Sequence, residues 1–281
     1  KPAVVFAEQT SQFKRALETV DFGDAIVVTA DPSALARPAI AYADVLATTV
    51  TPAVEQAIAA IDPDAHSLYM LTSGSTSMPK AVVQTQRMVT ANVAQARQVL
   101  AQTAGWTETM LDWLPWSHVS GACNQFATLC SGGRFYIDGG RPMPGLFEES
   151  LRNIKEIPPS FHINVPFGYA MLADALEQDA ELRTQFFRNL RLALYGGAGL
   201  PQALYERFQR LAVATIGERI FFTTGYGATE TTSGCMSIYF PTEAVGIGLP
   251  MPGMTLKLVP NGPRYEVRVR GQIVTPGYLS N

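Results

Sequence analysis

The most informative segment of the chain is Thr72-Ser73-Gly74-Ser75-Thr76-Ser77-Met78-Pro79-Lys80, which follows the apolar run 68–71. It contains five hydroxyl side chains, one glycine and one lysine within nine residues. Backbone N–H groups near Gly74 can approach a phosphate closely, and hydroxyl groups can donate to its oxygens or reach a metal ion. Lys80 can add a positive charge beside that phosphate. A solvated surface loop is the plainer alternative for the same composition.

Two further glycine-rich turns each follow a predicted strand. They are YGGAGLP at residues 195–201 and TTGYGATETT at residues 223–232. Either one alone could be an ordinary tight turn. Open α/β sheets, however, bind their ligands at the carboxyl ends of strands. The three segments together therefore predict one phosphate-binding site at such an edge.

Other nucleotide and hydrolase motifs do not fit. A Walker A loop requires glycine before its lysine and serine or threonine after it, whereas this chain has Pro79 and Ala81 at those places. The sequence also contains no GxSxG and no GxGxxG. It therefore gives no local support to a hydrolase or to a dinucleotide-binding enzyme.

The composition is that of a globular protein, with 47% hydrophobic and 16% charged residues among 281. Its 21 basic and 24 acidic residues give a net charge of −3, and no stretch concentrates positive charge, so we expect no nucleic-acid partner and no membrane surface. The three cysteines, Cys123, Cys130 and Cys235, form no CxxC pair. This argues against a disulfide framework or a structural zinc site and favours a reducing, cytoplasmic compartment. No signal peptide and no apolar segment of membrane-spanning length is apparent.

Short apolar runs alternate with helical patterns, which predicts an α/β fold with a parallel sheet covered on both faces. The predicted strands are 4–7, 25–29, 68–71, 111–114, 134–137, 192–195 and 220–223. The predicted helices are 52–61, 86–100, 121–129, 145–156, 167–176 and 201–212. After about Thr242, glycine and proline become frequent, and strands at 256–259 and 265–269 predict a small antiparallel element. We expect an α/β core over residues 1–242 and the start of a small β subdomain over residues 243–281.

These motifs together resemble the adenylate-forming superfamily of acyl-CoA synthetases, luciferases and peptide-synthetase adenylation domains. The segment 72–80 is similar to the family signature TSGSTGxPKG and departs from it at Ser77 and Ala81, where the family usually has glycine. Further similarities are GYGATE at 225–230 to YGxTE, GGA at 196–198 to the adenine-side turn, LPWSHVSG at 114–121 to LPxxHxxG, and EVRVRGQIVTPGY at 266–278 to VRGxxxxxGY.

Within the superfamily the nearest likeness is to the feruloyl-CoA synthetases. The segments that carry it are DWLPW at 112–116, YIDGG at 136–140, FHINVP at 161–166 and GERI at 217–220. We therefore expect an aromatic, ferulate-like acid as substrate. Trp113, Trp116 and Phe126 are candidate walls of an aromatic pocket, with ordinary core packing as the alternative.

The resemblance implies a large N-terminal part of two doubly wound subdomains and a small β-barrel, followed by a mobile C-terminal domain. The ribose-binding aspartate of a TGD segment, the hinge and a catalytic lysine would then follow Asn281, and more sequence would precede Lys1. The chain also begins without methionine. We therefore expect a fragment that lacks the C-terminal domain and is nearly inert by itself.

The resemblance also assigns roles to residues. Glu230 would hold Mg²⁺ together with Thr76, Thr229 would contact the α phosphate, and Tyr226 would stack on adenine. His118 would lie near the carboxylate of the acid, although a hydrogen-bonded histidine at a helix N-terminus has the same pattern. The implied catalytic residues are Lys80, His118, Thr229 and Glu230; the implied ATP-binding residues are Thr72, Ser73, Gly74, Ser75, Thr76, Lys80, Gly197, Ala198, Gly225, Tyr226, Gly227 and Thr229; the implied substrate-binding residues are His118, Val119, Gly121, Gly196 and Gly225. His66 and His162 are assigned structural roles.

The implied reaction has two steps. A small carboxylic acid and ATP, with Mg²⁺, form an acyl-AMP and pyrophosphate, and coenzyme A then takes the acyl group. A carboxylate with a pKa of about 4 is already ionised, so the reaction needs charge neutralisation and positioning more than a general base. Two alternatives stay open: a nucleotide-binding fragment without turnover, and an adenylation domain that loads a carrier protein. The oligomeric state is open as well, a homo-oligomer included.

Overall fold

The computed structural model describes residues 2–72, 79–100 and 108–279. The chain divides into two compact units, Lys1–Ile61 and Asp62–Asn281. The first unit contains a parallel sheet in the order β1-β2-β3 and a small core of Ala7, Leu17 and Val27. Its elements are β1 (Val4–Ala7), α1 (Thr10–Thr19), β2 (Ile26–Thr29), β3 (Ile40–Ala41), α2 (Tyr42–Leu46) and α3 (Pro52–Ala59).

The second unit begins with an antiparallel pair of strands, β4 (His66–Thr72) and β5 (Lys80–Thr85). Here the structure corrects the sequence prediction, which put the run 68–71 in the parallel sheet. The chain reverses between the two strands, so that Leu71 faces Ala81 and Thr72 faces Lys80. The apolar residues that begin β5 follow the hydroxyl-rich segment directly and were not predicted as a strand. They include Val82, which is fully buried.

The main sheet of the second unit has seven strands in the order β12-β11-β10-β9-β8-β6-β7. The five strands from β10 to β7 are parallel, whereas β11 is antiparallel to β10 and to β12. The strands are β6 (Thr109–Asp112), β7 (Arg134–Ile137), β8 (Phe161–Asn164), β9 (Leu192–Gly196), β10 (Phe221–Ala228), β11 (Ser233–Ser237) and β12 (Leu249–Pro250). The helices are α4 (Gln86–Val99), α5 (Val119–Cys130), α6 (Phe147–Glu156), α7 (Pro166–Gln178), α8 (Ala180–Arg188) and α9 (Gln202–Ile216). The predicted α/β class is confirmed. The predicted turn at 195–201 follows β9 from Gly197 onward, whereas most of the predicted turn at 223–232 belongs to β10, which continues to Ala228 because it pairs there with β11.

The largest core cluster packs helices α7, α8 and α9 against the sheet. Tyr169, Phe186 and Phe208 are each fully buried, and their rings meet edge to face, with Tyr169 and Phe208 centroids 5.2 Å apart. Phe222 of β10 joins the same cluster. Edge-to-face aromatic pairs add to the free energy gained by burying their area. This cluster fixes β9 and β10, and therefore the two turns that follow them.

The bounds of several elements differ from the prediction, and so does the division into units. The predicted strand 111–114 is two residues late, because β6 ends at Asp112, where the carboxylate accepts a hydrogen bond from the Leu114 N–H (2.9 Å) and turns the chain. The division into units falls after Ile61 and not near residue 242. The expected antiparallel element exists as β13 (Thr255–Asn261) and β14 (Arg264–Arg270), but the segment after it returns to the core.

Within the described ranges, no helix is long and apolar enough to cross a membrane.

Candidate active site

One cavity of about 1170 Å³ lies in the second unit, where β8, β9 and β10 end. Thr72, at the start of the hydroxyl-rich segment, contributes to its lining. So do Gly196 and Gly197 from the turn after β9, and Thr229 and Glu230 from the segment after β10. The structure therefore brings residues of all three sequence segments to one cavity.

The implied site residues fall into three groups. Nine of them line the cavity: Thr72, His118, Val119, Gly196, Gly197, Gly225, Gly227, Thr229 and Glu230. Four others lie in the described part of the chain but outside this lining: Lys80, Gly121, Ala198 and Tyr226. The remaining four, Ser73, Gly74, Ser75 and Thr76, lie outside the described residues.

Gly227 allows the end of β10 to approach β11 closely. A Cβ atom at this position would lie 1.7 Å from the Ser233 carbonyl oxygen, so only glycine fits without moving the backbone. The register with β11 shifts at the same place, between Tyr226 and Gly227. The Tyr226 side chain is 39% exposed. Its predicted contact with adenine stays a prediction.

Glu230 is held by its backbone as well as by its side chain. It lies in the single 3₁₀ turn Thr229–Thr231, where the Gln84 amide donates to the Thr229 carbonyl (3.1 Å). The Thr275 N–H donates to the Glu230 carbonyl (2.8 Å), and the Tyr278 hydroxyl donates to Glu230 Oε1 (2.9 Å). Glu230 is therefore tied to β5 through Gln84 and to the segment after β14.

The backbone directly after Glu230 is strained. Thr232 and Ser233 have φ values of 55° and 102°, which are unfavourable for residues other than glycine. Such positions cost about 1–3 kcal/mol each and persist only where neighbouring contacts hold them. Here the Thr232 hydroxyl donates to the Ile273 carbonyl (2.9 Å), and the Cys123 thiol donates to the Thr232 carbonyl (3.1 Å). Helix α5 and residue 273 thus stabilise the turn that presents the carboxylate.

His118 caps a helix and also lines the cavity, and its predicted contact with the acid stays a prediction. It is the N-cap of α5, and its Nδ1 accepts a hydrogen bond from the Ser120 N–H (3.2 Å). In the neutral ring this acceptor leaves the proton on Nε2. The side chain is exposed and lines the cavity. His118 can therefore cap the helix through one nitrogen and donate a hydrogen bond through the other.

Gly121 has a packing role in the structure. It is buried in the first turn of α5, and a Cβ there would lie 2.5 Å from the Pro115 carbonyl oxygen and 2.6 Å from that of Leu114. Gly121 therefore packs against backbone and lies outside the cavity lining, and its predicted substrate contact stays a prediction. Asp112 holds the same turn, accepting from the Asn124 amide (2.9 Å), and burial raises the pKa of its carboxyl.

Lys80 starts β5 opposite Thr72, whose hydroxyl donates to the Lys80 carbonyl at 3.4 Å. Its ammonium lies 5.0 Å from the centroid of the Tyr278 ring, within the range of a cation–π interaction. Lys80 is exposed and lies outside the cavity lining. The structure therefore places it beside the segment that contacts Glu230.

Apolar side chains from α4, α5 and the sheet form the other wall of the cavity. Trp113 is part of this wall, and its indole N–H donates to Asn164 Oδ1 (3.3 Å). Of the other two aromatic candidates, Trp116 is 45% exposed and Phe126 does not line the cavity. Cys123 does line it, and burial raises the pKa of its thiol to about 12. Further members of the wall are Val93, Ala96, Val119, Phe161, Ile163, Leu194, Met236 and Met251.

A family model described as AMP-binding enzyme matches residues 1–279. The chain belongs to the AMP-binding enzyme family. The predicted resemblance to the adenylate-forming superfamily is thereby confirmed. This resemblance was found from three glycine- and hydroxyl-rich segments. Two of them contribute to the lining of one cavity, together with Thr72, the first residue of the segment 72–80.

Relatives of known name include two kinds of enzyme. The chain is 28% identical over 244 residues to an inactive atromentin synthetase of Paxillus involutus, covering 78% of this chain and 25% of that protein. It is 26% identical over 231 residues to a long-chain-fatty-acid–CoA ligase of Thermus thermophilus, covering 75% of this chain and 40% of that protein. The chain thus spans a quarter to two fifths of the length of these relatives.

A solved structure shows the same fold. The o-succinylbenzoate CoA synthetase of Bacillus subtilis, in complex with the acyl-adenylate intermediate OSB-AMP, superposes with a TM-score of 0.66 at 18% identity. The match covers 98% of this chain and 55% of that protein.

The members of an AMP-binding family handle nucleotide phosphates, for which a divalent cation is the usual counter-ion. The described residues contain no cluster of three or more His, Cys, Asp or Glu side chains able to hold a metal ion by themselves. Mg²⁺ is commonly bound by one or two carboxylates plus substrate phosphates. The Glu230 carboxylate offers about four lone-pair sites, of which Tyr278 uses one, so the donor set fits Mg²⁺ shared with a nucleotide.

Several residues of the site have no signal in the sequence motifs. Gln84 and Cys123 support the Glu230 turn from elements that are remote in sequence, and Asn92 donates to the Gly234 carbonyl (3.0 Å) in the same way. Asn164 was the one that could have been found, because it ends a buried strand just before Pro166 opens a helix. Open α/β sheets bind ligands at the carboxyl ends of their strands, and Asn164 lies at such an end.

Proposed function

We propose that this chain is the nucleotide-binding part of an acid–thiol ligase, which joins an aromatic carboxylic acid to AMP and then passes the acyl group to coenzyme A. The observation that supports this function is the single cavity that has Thr72 and Glu230 among its lining residues and an apolar wall around Trp113. One side suits the charged nucleotide, and the other suits a flat apolar acid.

The chain's own residues neutralise and orient charge. An ionised carboxylate and a triphosphate repel each other, so the reaction needs cations and N–H donors around the phosphates. Lys80 and the hydroxyl of Thr229 can serve the phosphates, and His118 Nε2–H can donate to the acid. Glu230 would hold Mg²⁺, which when bound neutralises phosphate charge as a Lewis acid.

The acid would lie along the apolar wall, with its carboxylate toward the glycine turns. Gly196, Gly197 and Gly225 line the cavity without side chains. They leave room for the reacting groups to approach the backbone. Trp113, held by its hydrogen bond to Asn164, offers a flat face in a fixed orientation. An aromatic acid gains from such a face through both buried area and ring packing.

Titration calorimetry on the complete 281-residue chain tests the proposal. ATP with Mg²⁺ and AMP should both bind, and a non-hydrolysable feruloyl-adenosine sulfamate should bind about ten- to a hundredfold more tightly than AMP, because its ring buries apolar area. The Trp113→Ala variant should lose most of that gain and keep its affinity for AMP. If neither ATP nor AMP binds, the proposed function is wrong. If the feruloyl analogue binds no better than AMP, the aromatic substrate is wrong.

A nucleotide-binding protein without turnover is the second candidate. It is favoured by the similarity to a synthetase described as inactive. Pyrophosphate release from ferulate, ATP and Mg²⁺ separates the two, since only a ligase gives acid-dependent release. Adding coenzyme A, or instead a phosphopantetheinyl carrier protein, then identifies the acceptor.

A further inference from the structure

The segment after β14 runs back along β5. The Val83 N–H donates to the Gly277 carbonyl (3.1 Å), and the Leu279 N–H donates to the Ala81 carbonyl (2.8 Å). Between these two bonds, Tyr278 forms an antiparallel bridge with Val82. The backbone therefore fixes Tyr278 near the start of β5, where Lys80 lies.

Tyr278 contacts two charged residues of the proposed function: Glu230, which would hold Mg²⁺, and Lys80, which would serve the phosphates. Its hydroxyl donates to Glu230 Oε1 at 2.9 Å, and its ring centroid lies 5.0 Å from the Lys80 ammonium. Three residues before it, the Thr275 hydroxyl donates to the Val83 carbonyl (2.6 Å), and its N–H donates to the Glu230 carbonyl (2.8 Å). One short segment thus connects β5, Lys80 and Glu230.

We propose that Tyr278 is a positioning residue for Mg²⁺-ATP. Its hydroxyl holds the Glu230 carboxylate in one orientation, and its ring holds the Lys80 ammonium. The inference rests on the proposed function and adds to it a residue that touches neither acid nor nucleotide. A side chain ordered before binding loses less entropy when the ligand arrives, so affinity increases.

A purely structural role is the alternative, in which Tyr278 only packs the segment against β5. The two roles differ in what a missing hydroxyl does. Tyr278→Phe keeps the ring, the bridge with Val82 and the contact with Lys80, and removes only the bond to Glu230. A structural role predicts a changed melting temperature with unchanged ligand binding. A positioning role predicts a loss confined to binding that depends on Mg²⁺.

The first experiment measures ATP affinity of the full chain by calorimetry, with Mg²⁺ and with EDTA in its place. Tyr278→Phe should weaken binding in Mg²⁺ about three- to tenfold, as expected for one hydrogen bond to a charged, partly exposed group, and leave binding in EDTA unchanged. Tyr239→Phe is the matched control, because it removes a hydroxyl that donates to the Pro250 carbonyl (3.1 Å) and should change neither affinity. Equal Mg²⁺ dependence in the wild type and in Tyr278→Phe overturns the inference for Glu230.

The second experiment tests the Lys80 contact by a double-mutant cycle. In EDTA, Tyr278→Leu should bind ATP about two- to fivefold more weakly than Tyr278→Phe, the range expected for an exposed cation–π interaction. In a Lys80→Met background the two substitutions should give equal affinities. A difference that survives Lys80→Met overturns this part. If the wild type binds no ATP at all, the proposed function and this inference fall together, whereas binding by the wild type with no effect at Tyr278 removes the inference alone.

Discussion

Replacing Gly121 by alanine tests whether this residue packs the first turn of α5 or contacts a substrate. The three atoms nearest to the new Cβ all belong to backbone: the carbonyl oxygens of Pro115 (2.5 Å) and Leu114 (2.6 Å) and the Pro115 carbonyl carbon (2.8 Å). Ordinary van der Waals contact begins at 3.4 Å. The helix must therefore retreat by roughly 0.9 Å, the difference between 3.4 and 2.5 Å, because backbone cannot rotate away as a side chain can.

The cost follows from two opposing effects. Overpacking a close-packed site costs about 1–3 kcal/mol, and close contact with the backbone of Leu114 and Pro115 puts Gly121 at the upper end. Alanine recovers up to about 1 kcal/mol of helix propensity relative to glycine. We therefore expect Gly121→Ala to lower the free energy of unfolding by about 2 kcal/mol, which corresponds to a melting temperature about 4–8 °C lower.

Denaturant unfolding followed by circular dichroism measures this loss, and AMP titration measures its effect on the site. Because His118 and Val119 line the cavity on the same turn, the displaced helix should also weaken AMP binding. Gly246→Ala is the control, since its Cβ would meet no atom within 4 Å and its φ is not positive. A Gly121→Ala protein as stable as the wild type, with acid binding alone reduced, would refute the packing role and support the substrate contact.

Three more predictions concern single side chains. Glu230→Gln should lower ATP affinity in Mg²⁺ to the value measured in EDTA while the melting temperature hardly changes, because the amide oxygen still accepts from Tyr278; calorimetry with undiminished Mg²⁺ dependence would contradict it. Burial holds the pKa of His162 at about 4, against about 6.5 in an unfolded chain. The contribution of His162 to the free energy of unfolding should therefore be fully present above about pH 6.5. It should fall toward pH 4 by up to about 1.4 kcal/mol per pH unit. His162→Gln should remove that part of the slope, and equal slopes in urea titrations would argue against it. Iodoacetamide at pH 8 should label the exposed Cys130 and spare Cys123, whose pKa of about 12 leaves almost no thiolate; peptide mapping that finds both labelled alike would count against the burial of Cys123.

Much of the second unit could be predicted because its signals are local. The strand 134–137 agrees with β7 at both ends, and the helix predicted over 86–100 agrees with α4 to one residue. The apolar residues of the helix recur at helical spacing, and the strand is a short apolar run that ends before Asp138-Gly139-Gly140. The turn after β9 could be predicted because glycine commonly marks a tight turn. The turn predicted at 223–232 was placed too early, because Gly225 and Gly227 pair with β11 inside β10.

The pairing of β4 could not be predicted, because it depends on a partner and not on a period. A short apolar run has the same pattern in a parallel sheet and in an antiparallel pair. The sequence does not mark where its partner β5 begins, because the apolar residues Ala81 and Val82 directly follow Lys80 without a turn residue between them. Helix α8 was missed for a related reason: its buried residues Leu182, Phe186 and Phe187 follow α7 after a break of one residue, at Asp179.

The site divides into a nucleotide side fixed mainly by backbone contacts and an acid side formed by side chains. Around Glu230, the carbonyls of Thr229, Glu230 and Thr232 all accept hydrogen bonds from other elements, so substitutions within the turn leave these acceptors in place. Two of the donors are the side chains of Gln84 and Cys123. On the acid side, Trp113 and its apolar neighbours contribute shape alone. Exchanging one of these side chains changes the volume of the cavity and leaves the carbonyl groups of the Glu230 turn in place. Under the proposed function, we therefore expect the choice of acid to depend on wall residues such as Trp113 and not on the glycine motifs.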